Sequence, residues 1–391
     1  MTATATATGT AGAATPAPDT LPLLRPVMPE LDVVRGIAVA MVVVYHGFFW
    51  SNPAARATGV TRAVLFASQP GWLGVELFFV LSGFLITGIL VDARARPDFF
   101  RWFYVRRALR ILPAYLALLV VMLVAGRVDS AYATLAVFFL VNLAPIFGVG
   151  LQYGPPWSLA VEEHFYLLWP AAVRFLSRRA LKRTAWTIVL GLPLLRFAWW
   201  TTGNIEGLFI YTWFTADGLA MGALLALHLR EPGITRQHVT RLGAGCIAAA
   251  ALLLAVGLPF GILSRKYALG GAAQYTPFCL AFTGLLALAL AAGSGRLRSW
   301  LDIGWLRFLG EISYGLYLVH VLVFEAFDAW IAPTTPWFDR SDPRLTPIVV
   351  RFVASAAVSV LVATLSRRTL EAWFLARKER WSRAAVAPGA S

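Results

Sequence analysis

Apolar residues in this chain are concentrated in runs near 20 residues long: 31–50, 72–91, 109–126, 131–148, 157–176, 184–200, 207–229, 241–260, 275–293, 306–328 and 346–366. An α-helix of roughly 20 residues crosses the roughly 30 Å of hydrocarbon in a bilayer. The pattern therefore predicts an all-α polytopic membrane protein. One membrane domain is expected over 30–371, preceded by a tail at 1–29 and followed by a basic tail at 372–391.

Eleven crossings would leave the two ends on opposite sides, and charge tests that parity. Arg94, Arg96, Arg101, Arg106, Arg107 and Arg110 make the segment 94–110 the clearest cytoplasmic loop, because Lys and Arg accumulate on the cytoplasmic side. If every later segment crosses, the basic stretch Arg174, Arg178, Arg179, Lys182 and Arg183 falls outside, and so does the C-terminal group Arg367, Arg368, Arg377, Lys378 and Arg380. Both conflicts vanish if 131–148 enters and leaves by one face. That segment carries Asn142, Pro145, Gly148 and Gly150 and is followed by Pro155-Pro156, and irregular backbone at membrane depth is tolerated only within protein or a water-filled cavity. The expectation is about ten transmembrane helices plus a broken or re-entrant segment near 131–148, in the cytoplasmic membrane with both termini cytoplasmic.

Composition supports the membrane assignment: 59% of the 391 residues are hydrophobic and 14% are charged, against about 25% charged in a soluble domain. The spans leave no stretch for a separate soluble catalytic domain. Lys and Arg number 34 against 20 Asp and Glu, but the surplus sits in short stretches between apolar runs. That placement suits lipid headgroups and topology signals, and no nucleic-acid partner is expected. Cys246 and Cys279 lie in apolar runs and read as buried thiols. Residues 1–29, rich in Thr, Ala and Pro, read as a disordered tail. No basic segment precedes the first apolar run and no small-residue cleavage site follows it, so the first span is expected to stay attached.

Ionisable residues inside spans are costly unless paired or functional. The first span holds Asp32, Arg35 and His46. Arg35 and His46 are 11 residues apart, about 1100° of helical rotation and about 16 Å of rise, so they share a face. An anchoring arginine and a packed histidine would be the bland account; a histidine at that depth also switches between base and acid near neutral pH. Glu76 and Ser82 lie on the second span. Arg107 and Arg110, three apart beside Arg106, present adjacent cationic forks suited to phosphates. On the segment opening Pro155-Pro156-Trp157-Ser158, Glu162 follows Ser158 at i, i+4, with Tyr166 one turn further. Ser313, Tyr317 and His320 occupy neighbouring positions on a late span, and Asp217 lies among Thr215, Gly218 and Gly222. Each also has a structural reading as a brace between helices. These residues outline a polar cavity from an arginine pair to a buried histidine and carboxylate. Periodicity alone leaves an enzyme and a transporter or flippase of glycosylated substrates both open.

Five ordered motifs resemble the membrane acyltransferase-3 family. They are Leu31-Asp32-Val33-Val34-Arg35-Gly36 with His46; Gly74-Val75-Glu76-Leu77-Phe78-Phe79 through Ser82-Gly83-Phe84; Arg107-Ala108-Leu109-Arg110 with Pro113; Trp157-Ser158-Leu159 with Glu162-Glu163 and Phe165-Tyr166; and Leu309-Gly310 with Ser313-Tyr314, Tyr317 and His320. The resemblance implies transfer of an acyl group, commonly acetyl from acetyl-CoA, to a hydroxyl of a sugar or sugar-bearing compound. Arg35, His46 and Glu162 take the catalytic positions, with Glu162 orienting the His46 ring. Arg107, Arg110 and Arg106 take the donor phosphates. Asp32, Glu76, Ser82, Asn142, Trp157, Ser158, Tyr166, Asp217, Ser313, Tyr317 and His320 support the acceptor or the structure. Two departures are His164, where similar proteins often have Gln, and the lack of a hydrolase-like domain after the membrane region, which favours a glycosylated small molecule or glycolipid over a wall or surface polysaccharide as acceptor. The segment 329–345, with Trp330, Pro333, Pro336, Trp337, Phe338, Asp339, Asp342 and Arg344, is a candidate acceptor surface. Acyl-CoA is the expected donor, membrane lipids the other partner, and no metal is expected.

Overall fold

The computed structural model describes residues 24–25, 28–52, 57–264, 266–292, 303–335 and 344–382. Most of the expected N-terminal tail, the candidate acceptor positions Pro336, Trp337, Phe338, Asp339 and Asp342, and the last nine residues of the basic tail lie outside the described residues.

Helix α1 (Pro29–Val44) opens on a proline at its first position, where a missing N–H breaks no helical bond. It continues as a π-helical segment, Tyr45–Trp50. α2 (Gly59–Ser68), α3 (Gly74–Asp92) and α4 (Phe99–Val124) follow. The next segment is broken as expected. A short α5 (Ser130–Val137) is capped by the Asp129 side chain accepting from the Tyr132 N–H at 2.7 Å. Phe139 then takes a positive φ of 55°, a conformation costing roughly 1–2 kcal/mol in a non-glycine residue. A 3₁₀ stretch Val141–Phe147 ends at Gly148 with φ 67°. The Gln152 amide donates to Asp129 at 2.6 Å, and the Tyr132 hydroxyl donates to the Tyr153 carbonyl at 2.5 Å. These bonds bring the two ends of the segment together.

The chain continues through α6 (Pro156–Phe175), α7 (Arg178–Thr201), α8 (Thr212–Thr215), α9 (Asp217–His228), α10 (Arg236–Gly257), α11 (Ala268–Ala273) and α12 (Tyr275–Ala291). It ends with α13 (Gly304–Glu311), α14 (Ser313–Ala326) and its π-helical extension Phe327–Ile331, α15 (Leu345–Ser366), and the short α16 (Ala372–Ala376) and α17 (Lys378–Ser382). Among the described residues, seven helices are long and apolar enough to cross a membrane: Pro29–Trp50, Gly59–Asp92, Phe99–Val124, Arg236–Phe260, Ala268–Ala291, Ser313–Thr334 and Leu345–Ala376. The expectation of about ten also used the runs at 157–176, 184–200 and 207–229. Those became α6, which carries Glu162-Glu163-His164; α7, which begins Arg178-Arg179 and buries Arg196; and the broken pair α8 and α9, the latter only 12 residues long. Their charge and length, not a loss of helix, separate them from the seven.

Lipid gives helices little hydrophobic reason to associate with each other, so close backbone approach between small residues does much of the holding. A Cβ on Gly83 would stand 1.9 Å from the Leu219 carbonyl oxygen, and one on Gly222 1.9 Å from that of Val80. This pair locks α3 to α9. Gly36 and Gly310 do the same for α1 and α13, against the Leu306 and Asp32 carbonyls at 2.0 and 1.9 Å.

The basic runs meet on one face. Arg94 donates to the carbonyls of Arg174 and Leu176 at 3.3 and 2.9 Å, and Arg178 donates to that of Arg230 at 2.9 Å. Arg230 in turn clasps Asp92. Two outcomes are expected from this architecture. Gly83→Leu should abolish the monodisperse species in detergent size-exclusion chromatography, whereas Gly245→Leu, with open space around it, should leave it intact. In a background lacking Cys246 and Cys279, Ala95→Cys and Arg179→Cys should react with an impermeant maleimide from the same side of sealed vesicles, and Gly150→Cys from the other. Opposite-side labelling of 95 and 179 would break this topology.

Candidate active site

Between α1, α3, α4, α6 and α14 lies a cavity of ≈ 140 Å³. Arg35, Arg107 and Arg110 line it, and so do Ser82, Ser158, Glu162, Ser313 and Tyr317. Phe78, Phe79, Leu85 and Ile86 supply apolar wall. All five motifs of the chain converge here, each contributing one helix to the same junction.

Glu162 is the fixed point of the polar wall. Its carboxylate accepts from Ser82 Oγ at 2.7 Å and from the Tyr166 hydroxyl at 3.0 Å, joining α3 to α6. Arg107 lays its guanidinium over the Tyr166 ring, Cζ to centroid 4.0 Å. Its Nε is buried with no hydrogen-bond partner among the described residues. A buried donor left in that state carries a cost unless something in the cavity accepts from it. Arg35 pairs with Asp32 at 2.6 Å, one helical turn away. Arg106 turns instead to the Trp102 ring, 4.9 Å from its centroid, and is absent from the cavity wall.

Past Tyr317 stand two histidines, whose ring centroids are 4.9 Å apart. His320 Nδ1 lies 2.8 Å from the Tyr317 carbonyl and 3.1 Å from that of Leu316, so this nitrogen carries the proton and donates. With the ring neutral, His320 Nε2 keeps its lone pair and accepts from His46 Nδ1 at 3.1 Å. His46 Nδ1 also reaches the Val42 carbonyl at 3.0 Å, which requires its proton there as well. The remaining lone pair of the set is on His46 Nε2. The Tyr317 hydroxyl is 2.5 Å from Ser158 Oγ, so the residue that walls the cavity also holds His320 through its backbone.

The structure thus gathers Arg35, Arg107, Arg110, Ser82, Ser158, Glu162, Tyr166, Ser313, Tyr317, His46 and His320 at one junction. The partner of His46 is His320, while the two hydrogen bonds of Glu162 go to Ser82 and Tyr166. Other sequence candidates sit elsewhere. Glu76 is buried and accepts from Cys279 Sγ at 3.3 Å. Asn142 braces the re-entrant segment by donating to Thr212 Oγ1 at 2.9 Å and to the Ile210 carbonyl at 3.2 Å. Trp157 meets Phe79 edge to face, with centroids 6.2 Å apart. Asp217 forms a fully buried ion pair with Arg196 at 3.0 Å, an arrangement that braces α7 against α9. Sequence reasoning passed over Arg196, Asp328 and Arg351, although each is a charge inside an apolar run, the signal that deserved pursuit.

The acyltransferase domain family matches residues 28–368 of the chain. The chain is similar to the peptidoglycan O-acetyltransferase OatA of Listeria monocytogenes, 27% identical over 386 residues, which cover 89% of this chain and 56% of that protein. It is likewise similar to the O-acetyltransferase OatA of Staphylococcus aureus, 27% identical over 328 residues, covering 76% of this chain and 51% of that one. The chain spans about half the length of these curated relatives. No solved structure matches it. With five motifs folded around one cavity and the family match running from α1 through α15, this chain belongs to the acyltransferase domain family.

Proposed function

We propose that the protein is a membrane O-acyltransferase that moves an acyl group, acetyl in the simplest case, from acyl-CoA to a hydroxyl of a sugar-bearing acceptor. One observation carries the reading: Tyr317, in the wall of an arginine-lined cavity, holds through its backbone a histidine pair whose hydrogen bonds leave the lone pair on His46 Nε2 for chemistry. The basic face formed by the 94–110 and 174–183 stretches is taken as cytoplasmic under the positive-inside rule, with both termini on it. Acyl-CoA then enters from the cytoplasm.

A cavity of ≈ 140 Å³ suits the slender pantetheine arm and not a whole nucleotide. The phosphates would remain at the mouth on Arg107 and Arg110, whose planar forks match phosphate oxygens, with Arg35 adding charge. Glu162 holds Tyr166 under Arg107 and so keeps that guanidinium aimed into the cavity. This role replaces the orienting of His46 that the sequence suggested.

In the chemical step, His46 Nε2 takes the proton of the acceptor hydroxyl as its oxygen attacks the thioester carbonyl. The tetrahedral oxyanion collapses with cleavage of the carbon–sulfur bond, and the imidazolium returns the proton to the leaving CoA thiolate. His320 holds the His46 ring in the tautomer that leaves Nε2 basic. The named activities of the relatives make a wall-glycan hydroxyl the first acceptor to test and a glycosylated small molecule the second.

The test is direct: incubate purified protein with radiolabelled acetyl-CoA and panels of both acceptor classes. His46→Gln should lower turnover by about 10²–10⁴, the usual contribution of a general base, at unchanged protein amount and elution profile. Robust transfer by this variant would remove His46 from the chemistry. Arg107→Gln and Arg110→Gln should each raise the KM for acetyl-CoA by roughly tenfold or more, the loss of one charge-assisted contact of about 1.5–3 kcal/mol, with the acceptor KM little changed. An unchanged donor KM in both variants would place the phosphates elsewhere.

A further inference from the structure

His46 sits where α1 ceases to be an α-helix. The π-helical segment Tyr45–Trp50 that carries it ends at Ser51, and a helix end leaves carbonyls without intrahelical partners. Side chains complete them here. Ser51 Oγ donates to the His46 carbonyl at 2.5 Å, and Asn52 Nδ2 donates to those of Gly47 and Phe48 at 3.1 and 2.7 Å. One donor comes from a distant helix: Arg351 Nη1, on α15, reaches the Gly47 carbonyl at 3.1 Å.

The rest of the Arg351 guanidinium is spent on the other histidine helix. Nε and Nη2 grip Asp328 bidentately at 2.6 and 2.8 Å, and Asp328 lies on the π-helical extension of α14, eight residues past His320. Arg351 is 1% exposed and stacks over the Phe324 ring, Cζ to centroid 4.8 Å. The seat is tight on all sides. A Cβ on Gly47 would stand 2.5 Å from Phe352 and 2.8 Å from Phe324. One side chain therefore holds two segments: the π turn next to His46 and the π turn that extends the helix of His320.

We propose that Arg351 is a positioning residue that sets the spacing and ring orientation of the His46–His320 pair by clamping the Gly47 carbonyl and Asp328 together. The inference rests on His46 being the reacting group. A π-helical turn is a rare single-turn insertion into an α-helix, frequent at functional sites, and here its carbonyls are completed by side chains, so the ring it carries is only as fixed as the clamp. A misplacement of about 1 Å at a reacting group costs on the order of 10²-fold in rate. Lysine cannot replace this arginine, because an ammonium lacks the planar fork needed to engage a carboxylate on two edges and a carbonyl on a third.

Arg351→Lys, and the paired change Arg351→Met with Asp328→Leu, test this together. The paired change removes both buried charges at once, which cores often tolerate, so it should fold where neutralising Arg351 alone would strip Asp328 of its bidentate partner. Both variants are expected to lose roughly 10- to 100-fold in kcat with the acetyl-CoA KM within about twofold. The chain has five histidines, so ¹⁵N-histidine NMR of the detergent-purified protein resolves the pair directly: the His46 and His320 signals should shift toward tautomer exchange while the other three stay in place. Full kcat and unmoved His46 and His320 signals in the folded paired variant would overturn the proposal. If His46→Gln itself keeps full turnover while the clamp variants still shift the His46 and His320 signals, the positioning stands and the catalytic reading of His46 falls instead.

Discussion

Inside hydrocarbon no water is at hand to complete an unfinished polar group, so every charged side chain and every broken helix must find its partner within the protein or keep a use for what is left over. This constraint organises the molecule. Arg196 and Asp217, neither exposed at all, pair with one another and tie α7 to α9. The Arg351 fork closes on Asp328 and on the carbonyl beside His46. The re-entrant segment, whose backbone bonds are interrupted at Phe139, is sewn at its ends through Asp129, Gln152, Tyr132 and Tyr153. Of the seven buried side-chain atoms without a partner among the described residues, Arg107 Nε faces the chemistry, and the tautomers of the histidine pair leave the lone pair of His46 Nε2 over. Arg107 walls the cavity, and the histidine pair stands behind Tyr317 in the same wall.

Close helix crossings make that cavity possible. Glycines at 36, 83, 222 and 310 let backbone carbonyls approach to distances that any side chain would forbid, and they draw α1, α3, α9 and α13 together on one side of the site. The cavity opens where α4 and α6 face that group with large side chains and charges. Glu162 then stitches α6 back to α3 through Ser82. Packing and chemistry are therefore not separable here: the Ser82-Gly83 dipeptide gives one residue to the polar wall and the next to the helix crossing.

Much of this was legible in the sequence. Run length marked the helices, and Pro145, Gly148 and Gly150 marked 131–148 as broken, which it is. Helical spacing put Ser158, Glu162 and Tyr166 on one face, where they are found. Partner choice was less legible, because spacing along one helix says nothing of which residue on another helix is opposite. His46 was assigned to Glu162 and instead meets His320; Glu76 and Asp217, which the spacing left open between acceptor contact and brace between helices, meet Cys279 and Arg196. Of the ten expected crossings, seven correspond to helices long and apolar enough to span, while α6, α7 and α9 resemble spans in a list of runs but are more charged or shorter than those seven. Arg351 was missed for a related reason: a lone arginine in an apolar run was read as part of the run.

The central claim is that one cavity receives the donor from its arginine end and delivers the thioester to His46. Its most direct test is a structure, by electron cryomicroscopy, of the protein bound to a non-hydrolysable thioether analogue of acetyl-CoA. The account predicts phosphate density against Arg107 and Arg110, the pantetheine arm along Phe78 and Ser82, Tyr317 displaced from Ser158, and the analogue's acyl carbon within hydrogen-bonding reach of a hydroxyl placed on His46 Nε2. Density for the analogue in the separate ≈ 200 Å³ cavity beside Lys182, Trp186 and Cys246, with the arginine-walled cavity empty, would contradict it.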